Sequence, residues 1–305
     1  MRRFTQPLES GLLRRIAHPI RTGHPRLYAT LKRIRTRLIV GQSDLEAYQF
    51  LALEHFRRRW LPRCAGARIL EVGSDERRSV LCALARLGVE AVGINSEEDT
   101  GSPSHEGLCP LPAGASFRRA DARALPFADQ SFDAIFSVAT FEHIRELPRA
   151  LEEMCRVLVP GGVVYSAFGP IWSGGKGHHL RVEVDGLEAR HFKPETNPLP
   201  DFSHLLLSPE QMRTALHGRV DARLCEPIVA WVYDDPAINR LSFCDYIEVF
   251  RRSPLELRAL RTEDDPVPSP LRRVLAFRHP RESRFEVTNI EVVLQKAART
   301  RGGTP

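Results

Sequence analysis

The sequence has no apolar run approaching the ~20 residues that cross a bilayer, which excludes a membrane-spanning helix as its organising element. Its start, MRRFTQPLESGLLRRIAHPIRTGHPRL, is basic but lacks an uninterrupted apolar stretch and a small-residue cleavage site, so a secretory leader is not expected. Six cysteines (Cys64, Cys82, Cys109, Cys155, Cys225 and Cys244) form no CxxC pair and no metal-ligand spacing. Cys82 and Cys155 fall in apolar helical patterns, which reads as reduced thiols in a core and predicts a cytoplasmic protein. There is no internal repeat, which excludes a solenoid. Lysine is scarce, at four of the 44 basic residues. The arginine excess is partly genome composition rather than function.

What is present fits an ordinary globular protein. With 305 residues, 42% apolar and 27% charged, the chain can hold one large α/β domain with additions, or two modest domains. The net charge of +6 is modest but uneven: the first 60 residues carry thirteen Lys and Arg against four Asp and Glu. Pro7, Pro19 and Pro25 break this arm. Arg14, Arg15, Arg33, Arg35 and Arg37 offer phosphate contacts or a solvated face, leaving a peripheral contact open. No aromatics interleave with them, so nucleic acid is not expected as a partner. From Ser43 to Trp60, Leu45, Tyr48, Ala52, Phe56 and Trp60 share one helical face, and Arg57, Arg58 and Arg59 complement the helix end. Residues 1–63 read as a basic helical N-terminal extension that docks on the main domain.

The stretch Ala67–Asn95, ARILEVGSDERRSVLCALARLGVEAVGIN, predicts a strand, a turn at Gly73, a helix with Val80, Leu81, Leu84 and Leu87 on one face, and a second strand ending at Asn95. Glu71, near the end of the first strand, is hard to explain as core. Residues 96–115 hold too much Gly, Pro and Ser for more than a turn of helix and read as a long loop. Strands are expected at 117–120, 132–138 and 163–168, with a helix at 145–158. A Gly-, Pro- and His-rich insertion covers 169–207. A helix capped by Ser208 and opened by Pro209 follows, to about Leu216. Residues 220–232 alternate toward a strand, 236–250 look helical, and after a Pro- and Arg-rich link a last strand covers 285–294. Residues 299–305 read as a frayed tail.

The ordered series Asp121-Ala122, LPF, Asp129, Ser131-Phe132-Asp133, Phe141-Glu142-His143 and RVLVPGG ending at Gly162 resembles the class I S-adenosylmethionine-dependent methyltransferases, of the methyltransferase type 11-like kind. The resemblance implies a Rossmann-like, doubly wound, mostly parallel seven-stranded sheet with helices on both faces. The domain would span 64–298, with 169–207 as an acceptor-side insertion or lid and 236–283 as a helical insertion before the last strand. The implied cofactor is S-adenosyl-L-methionine, held at strand ends by Glu71, Gly73, Ser74, Asn95, Asp121, Ala122 and Ser137. Asp121 would meet the adenine amino group, with the Ala122 backbone beside it, and Asn95 the ribose hydroxyls. Two positions depart from the family pattern: Asp75 stands where a second glycine is usual, and Asn95 where an acid is usual.

Methyl transfer is an in-line displacement in which the protein aligns the nucleophile and, for a hydroxyl, removes a proton. Histidine suits that task near neutral pH. His143 follows strand four, and His178 and His179 lie in the insertion. The bland readings are a supporting residue for His143 and a surface loop or backbone-packed pair for the other two. The SGGKGHH segment with Trp172 reads as a flexible lid. A metal site using His178, His179, Glu183, Asp185 or His191 is not expected. The expected function is O-methylation of a small-molecule or glycan-type acceptor. The alternative is a catalytically silent homologue that binds cofactor or partner. Against nucleic-acid methylation, no Asn-Pro-Pro-aromatic signature for base amines occurs.

Overall fold

The structure, a computed structural model, describes residues 47–61, 66–75, 78–96 and 111–298. The basic arm before residue 47, Cys64, Cys109, most of the 96–115 stretch and the tail 299–305 lie outside the described residues. The chain divides into two units, residues 1–55 and 56–305. Helix α1 (Ala47–Arg59) keeps the three arginines in its last turn. Its Phe56 is fully buried, with its ring 5.2 Å from that of Phe136 and 5.7 Å from that of Tyr165.

The second unit is built on seven strands: β1 (Arg68–Val72), β2 (Glu90–Asn95), β3 (Ala115–Arg119), β4 (Phe132–Val138), β5 (Leu158–Phe168), β8 (Glu256–Asp264) and β9 (Val287–Gln295). Their order in the sheet is β3-β2-β1-β4-β5-β9-β8. The first five run parallel, and β9 enters antiparallel between β5 and β8. The expected Rossmann-like, mostly parallel seven-stranded sheet is present. Order reverses between β1 and β4, so a crevice opens beyond their carboxyl ends, where doubly wound sheets take ligands. Both faces are covered. Helices α3 (Leu147–Val157) and α7 (Phe243–Arg252) pack Leu147, Leu151, Met154, Tyr246 and Phe250 into a core with Leu70, Val72, Ile135 and Val292. Helix α2 (Ser79–Arg86) buries Val80, Leu81 and Leu84.

The insertion is larger than expected. It contains a hairpin of β6 (Arg181–Val184) and β7 (Leu187–Arg190), then α4 (Ser203–Leu206), α5 (Pro209–Leu216) and α6 (Ala222–Tyr233). These elements share a core of their own, with Leu180, Val182, Ala189, Met212, Leu216, Ile228 and Val232 buried together. Residues 220–232 are therefore helix and not strand. Asp221 accepts from the Arg223 N–H and caps α6, and Leu224, Ile228, Val229 and Val232 form its buried face. The missing sheet strand is β8, which lies in the segment expected to be a helical insertion and link. Helix α7 begins at Phe243 rather than near Pro236, because Ser242 and Asp245 form a capping box there. Helix α8 (Ser269–Arg278) fills part of the link.

Candidate active site

A cleft of about 320 Å³ lies beyond the carboxyl ends of β1, β2 and β4. Val72, Gly73, Ile94, Asn95, Asp121, Ala122, Thr140 and His143 line it, together with Asp235–Ala237 from the loop after α6. Of the expected residues, Gly73, Asn95, Asp121, Ala122 and His143 are brought together here. Glu71, Ser74 and Ser137 lie beneath this lining, each at most 3% exposed. Ser137 Oγ donates to Val72 O at 3.0 Å and ties β4 to β1 under the turn. Ser74 Oγ donates to Glu71 at 2.8 Å. Burial pushes the Glu71 carboxyl up to about 8, against the lowering effect of that bond, so it is largely protonated at neutral pH.

The turn itself is narrow. The N–H groups of Gly73 and Ser74 both donate to Ile94 O, at 3.0 and 2.9 Å. Gly73 has φ +86°, and a Cβ there would stand 1.9 Å from Thr140 Oγ1. Glycine is therefore demanded by a neighbouring side chain as well as by backbone conformation, and Thr140 meets it only through the fold. Asp75, in place of a second glycine, accepts from the Ser79 N–H at 3.0 Å and supports the start of α2. Gly73→Ala is expected to cost roughly 2–4 kcal/mol through the left-handed backbone and the clash together. Urea denaturation reads this directly. Adding Thr140→Gly should recover the packing share and leave the backbone share, whereas an unchanged midpoint in the single variant would mean that the turn relaxes freely.

Beside the turn, Asn95 spends its amide on the protein, donating to Ser74 O at 3.1 Å and accepting from the Ser96 N–H at 2.9 Å. The Arg123 guanidinium donates to both Asp121 oxygens at 2.7–3.0 Å, and this contact holds the Asp121 carboxyl below its ordinary value. The next backbone N–H, that of Ala122, has no partner among the described residues. An acceptor carboxylate and a free N–H thus stand side by side at the cleft wall.

On the opposite wall a 3-10 turn, Phe141–His143, sends Glu142 inward and His143 outward. Glu142 Oε1 accepts from the Gly169 N–H at 3.1 Å. The loop after α6 fixes the turn through Asn239, whose Nδ2 donates to Phe141 O at 2.7 Å and Ile144 O at 3.1 Å while its N–H donates to Glu142 O. His143 Nδ1 lies 2.8 Å from Ala237 O. A carbonyl only accepts, so Nδ1 carries a proton, and in the neutral ring Nε2 keeps the lone pair. The Asp235–Ala237 segment, which reaches the cleft, and Asn239, which holds the turn beside it, were not legible as site residues, because only the fold brings them there.

Residues 70–166, about a third of the chain, match the family model described as a methyltransferase domain. Residues 70–166 form a methyltransferase domain. An uncharacterized methyltransferase of Mycobacterium leprae is 35% identical over 114 residues, which cover 37% of this chain and 41% of the relative. A malonyl-[acyl-carrier protein] O-methyltransferase of Methylococcus capsulatus is 54% identical over 50 residues, 16% of this chain and 18% of that one. The chain thus aligns with about two fifths or less of these relatives' length. A solved S-adenosylmethionine-dependent methyltransferase of Mesorhizobium loti aligns at a TM-score of 0.46 with 17% identity, over 80% of this chain and 98% of that one.

Outside the methyltransferase domain's cleft, the SGGKGHH segment is packed rather than loose. Ser173, Gly174, Gly175, Gly177, His178 and His179 are all buried. A Cβ on Gly177 would lie 2.4 Å from Ile171 O, so this glycine serves close packing. His178 and His179 do not line the cleft. His179 Nε2 donates to Pro170 O, and its ring lies 5.4 Å from that of His143 and 5.4 Å from that of His191. His178 lies 5.4 Å from His204, whose Nε2 donates to Trp172 O at 2.7 Å. Burial pushes His179 down to about 3 and His204 to about 4, and lowers His178 and His191 as well. Trp172 stands against His204 and under the Arg240 guanidinium, within the protein. Among the described residues no helix is long and apolar enough to cross a membrane.

Proposed function

We propose that the chain is an S-adenosyl-L-methionine-dependent methyltransferase that acts on an oxygen of a small-molecule or glycan-type acceptor, with His143 as the general base. The carrying observation is the placement of His143, held by Ala237 O through Nδ1, on the cleft that also holds Gly73, Asp121 and Ala122. The residues present fit the cofactor: the Asp121 carboxylate and the free Ala122 N–H complement an adenine edge, which offers an amino donor beside a ring-nitrogen acceptor. When bound, the cofactor would supply an electrophilic methyl group on a cationic sulfur. Gly73 leaves the backbone open to it, and Asn95 would meet the ribose with the donor and acceptor capacity that its two internal bonds leave.

His143 Nε2 would take the acceptor's proton as the oxygen attacks, and the Ala237 carbonyl would hold the resulting imidazolium. The Asp235–Ala237 loop closes the acceptor side. His179 supports this wall from behind His143, His178 packs against His204, and neither lines the cleft. The O-methyltransferase among the relatives favours an oxygen acceptor.

A catalytically silent, cofactor-binding homologue is the second reading, favoured by the commitment of the Asn95 amide to Ser74 and Ser96. Calorimetric titration with S-adenosylhomocysteine tests both readings together. Saturable one-site binding, weakened in Asp121→Ala, supports them, and absence of binding removes them. Transfer of labelled methyl groups to a panel of glycans and hydroxylated small molecules then separates the first from the second.

A further inference from the structure

We propose that helix α8 and the turn after it form a docking surface for an anionic lipid bilayer. The segment from Pro266 to Arg281 contains four arginines and no acidic residue. Helix α8 turns Leu275 inward, fully buried in a cluster with Val267 and Phe285. Its other face carries Pro270, Arg273, Val274 and Phe277, spaced by three and four residues. Phe277 is 88% exposed and Val274 46% exposed, which makes Phe277 the most exposed large apolar side chain among the described residues.

The cations around this apolar pair are largely uncommitted. Arg273 forms no ion pair among the described residues. Arg281, 87% exposed, reaches only to 3.9 Å from Glu248. Arg278 donates to the Leu206 carbonyl, which leaves its charge unpaired. Arg272 is tied closely, to Glu286 at 3.0 Å.

An exposed aromatic side chain on a segment with four arginines and no acid complements a surface that is negative at its headgroups and apolar beneath. A second copy of this face would set arginine against arginine. The N-terminal arm, with ten Lys and Arg against three Asp and Glu in residues 1–46, is equally mismatched. One protruding ring and a few charges make binding shallow and reversible, and a basic arm elsewhere in the chain would act in the same direction.

Cosedimentation of the full chain with vesicles tests this surface independently of any catalytic activity. Vesicles of phosphatidylcholine with phosphatidylglycerol should retain the protein, pure phosphatidylcholine should not, and added salt should release it. Phe277→Ser should lower the partition coefficient about tenfold, and Arg273→Glu about tenfold or more. Both side chains are exposed, so thermal melting should stay unchanged in both variants. Failure to pellet with phosphatidylglycerol overturns the proposal, even if an acidic protein is later found to bind this helix. It is equally overturned if Arg33→Glu with Arg35→Glu abolishes pelleting while Phe277→Ser leaves it intact, because the arm alone would then be the anchor.

Discussion

Replacing His143 by Gln will lower methyl transfer by roughly 10²–10⁴-fold, the range for loss of a positioned general base, and will leave S-adenosylhomocysteine binding unchanged. Gln keeps a donor for Ala237 O, so the loop that the histidine meets should hold its place. What disappears is the Nε2 lone pair. Single-turnover transfer to a responsive acceptor gives the rate, and chemical rescue gives the discrimination. Added imidazole should restore part of the variant's rate through the open cleft. A structural role for His143 would instead leave the lowered rate unmoved by imidazole. His179→Gln makes the matched control: its ring stands 5.4 Å behind that of His143 and is only 6% exposed, so no imidazole rescue is expected there.

The parallel half of the sheet was legible because its strands are buried on both faces and read as continuous apolar runs: Ile69-Leu70, Ala91–Ile94, Phe132–Val138. Strand β8 was not, for the same physical reason inverted. It lies at the sheet edge, and ELRALRTED carries charge at nearly every second position, as exposed edge strands do. The sequence VDARLCEPIVAWV alternates briefly at Val220, Ala222 and Leu224 and so resembles a strand, but the Asp221 cap and the Leu224, Ile228, Val232 spacing were the better signals. The β6–β7 hairpin had a strong local sign, Asp185-Gly186 between alternating segments. Both residues adopt positive φ, at 49° and 77°, as a two-residue hairpin turn requires.

At the cleft, legibility stopped where contacts became long-range. Strand ends named Gly73, Asn95 and Asp121, but only the fold shows Thr140 standing over Gly73, Arg123 clamping Asp121 and Asn239 stitching the turn that carries His143. Glycine and histidine density in SGGKGHH implied mobility. The structure explains it by packing: Gly174 and Gly177 admit neighbouring carbonyls, His179 donates to Pro170 O, His178 Nδ1 accepts from the Leu180 N–H, and His204 beside them donates to Trp172 O.

That buried packing makes acid the expected weakness of the fold. His179 and His204 take up protons only near 3 and 4 when folded, whereas the unfolded chain takes them up near 6.5. Above 6.5 both states are neutral and the pair is indifferent to pH. As pH falls below 6.5 the unfolded chain binds protons that the native state refuses, so stability is lost down to the folded values. At pH 5 the loss is about 2 kcal/mol for each, or about 4 kcal/mol together, with His178 and His191 adding in the same direction. Glu71 opposes this. Its folded value near 8 lies above its ordinary 4.5, so its contribution is fully present below 4.5 and lost as pH rises toward 8. The two trends partly cancel in the wild type. They separate in Glu71→Gln, which keeps an acceptor for Ser74 Oγ and should stabilise the protein by roughly 3 kcal/mol at pH 7. In that background, urea denaturation should show stability level from pH 8 to 6.5 and then falling by several kcal/mol to pH 5. Adding His179→Gln and His204→Gln should lower stability at pH 7 yet flatten the acid limb by about 4 kcal/mol. Parallel acid limbs with and without the two histidines would place the proton uptake elsewhere in the chain.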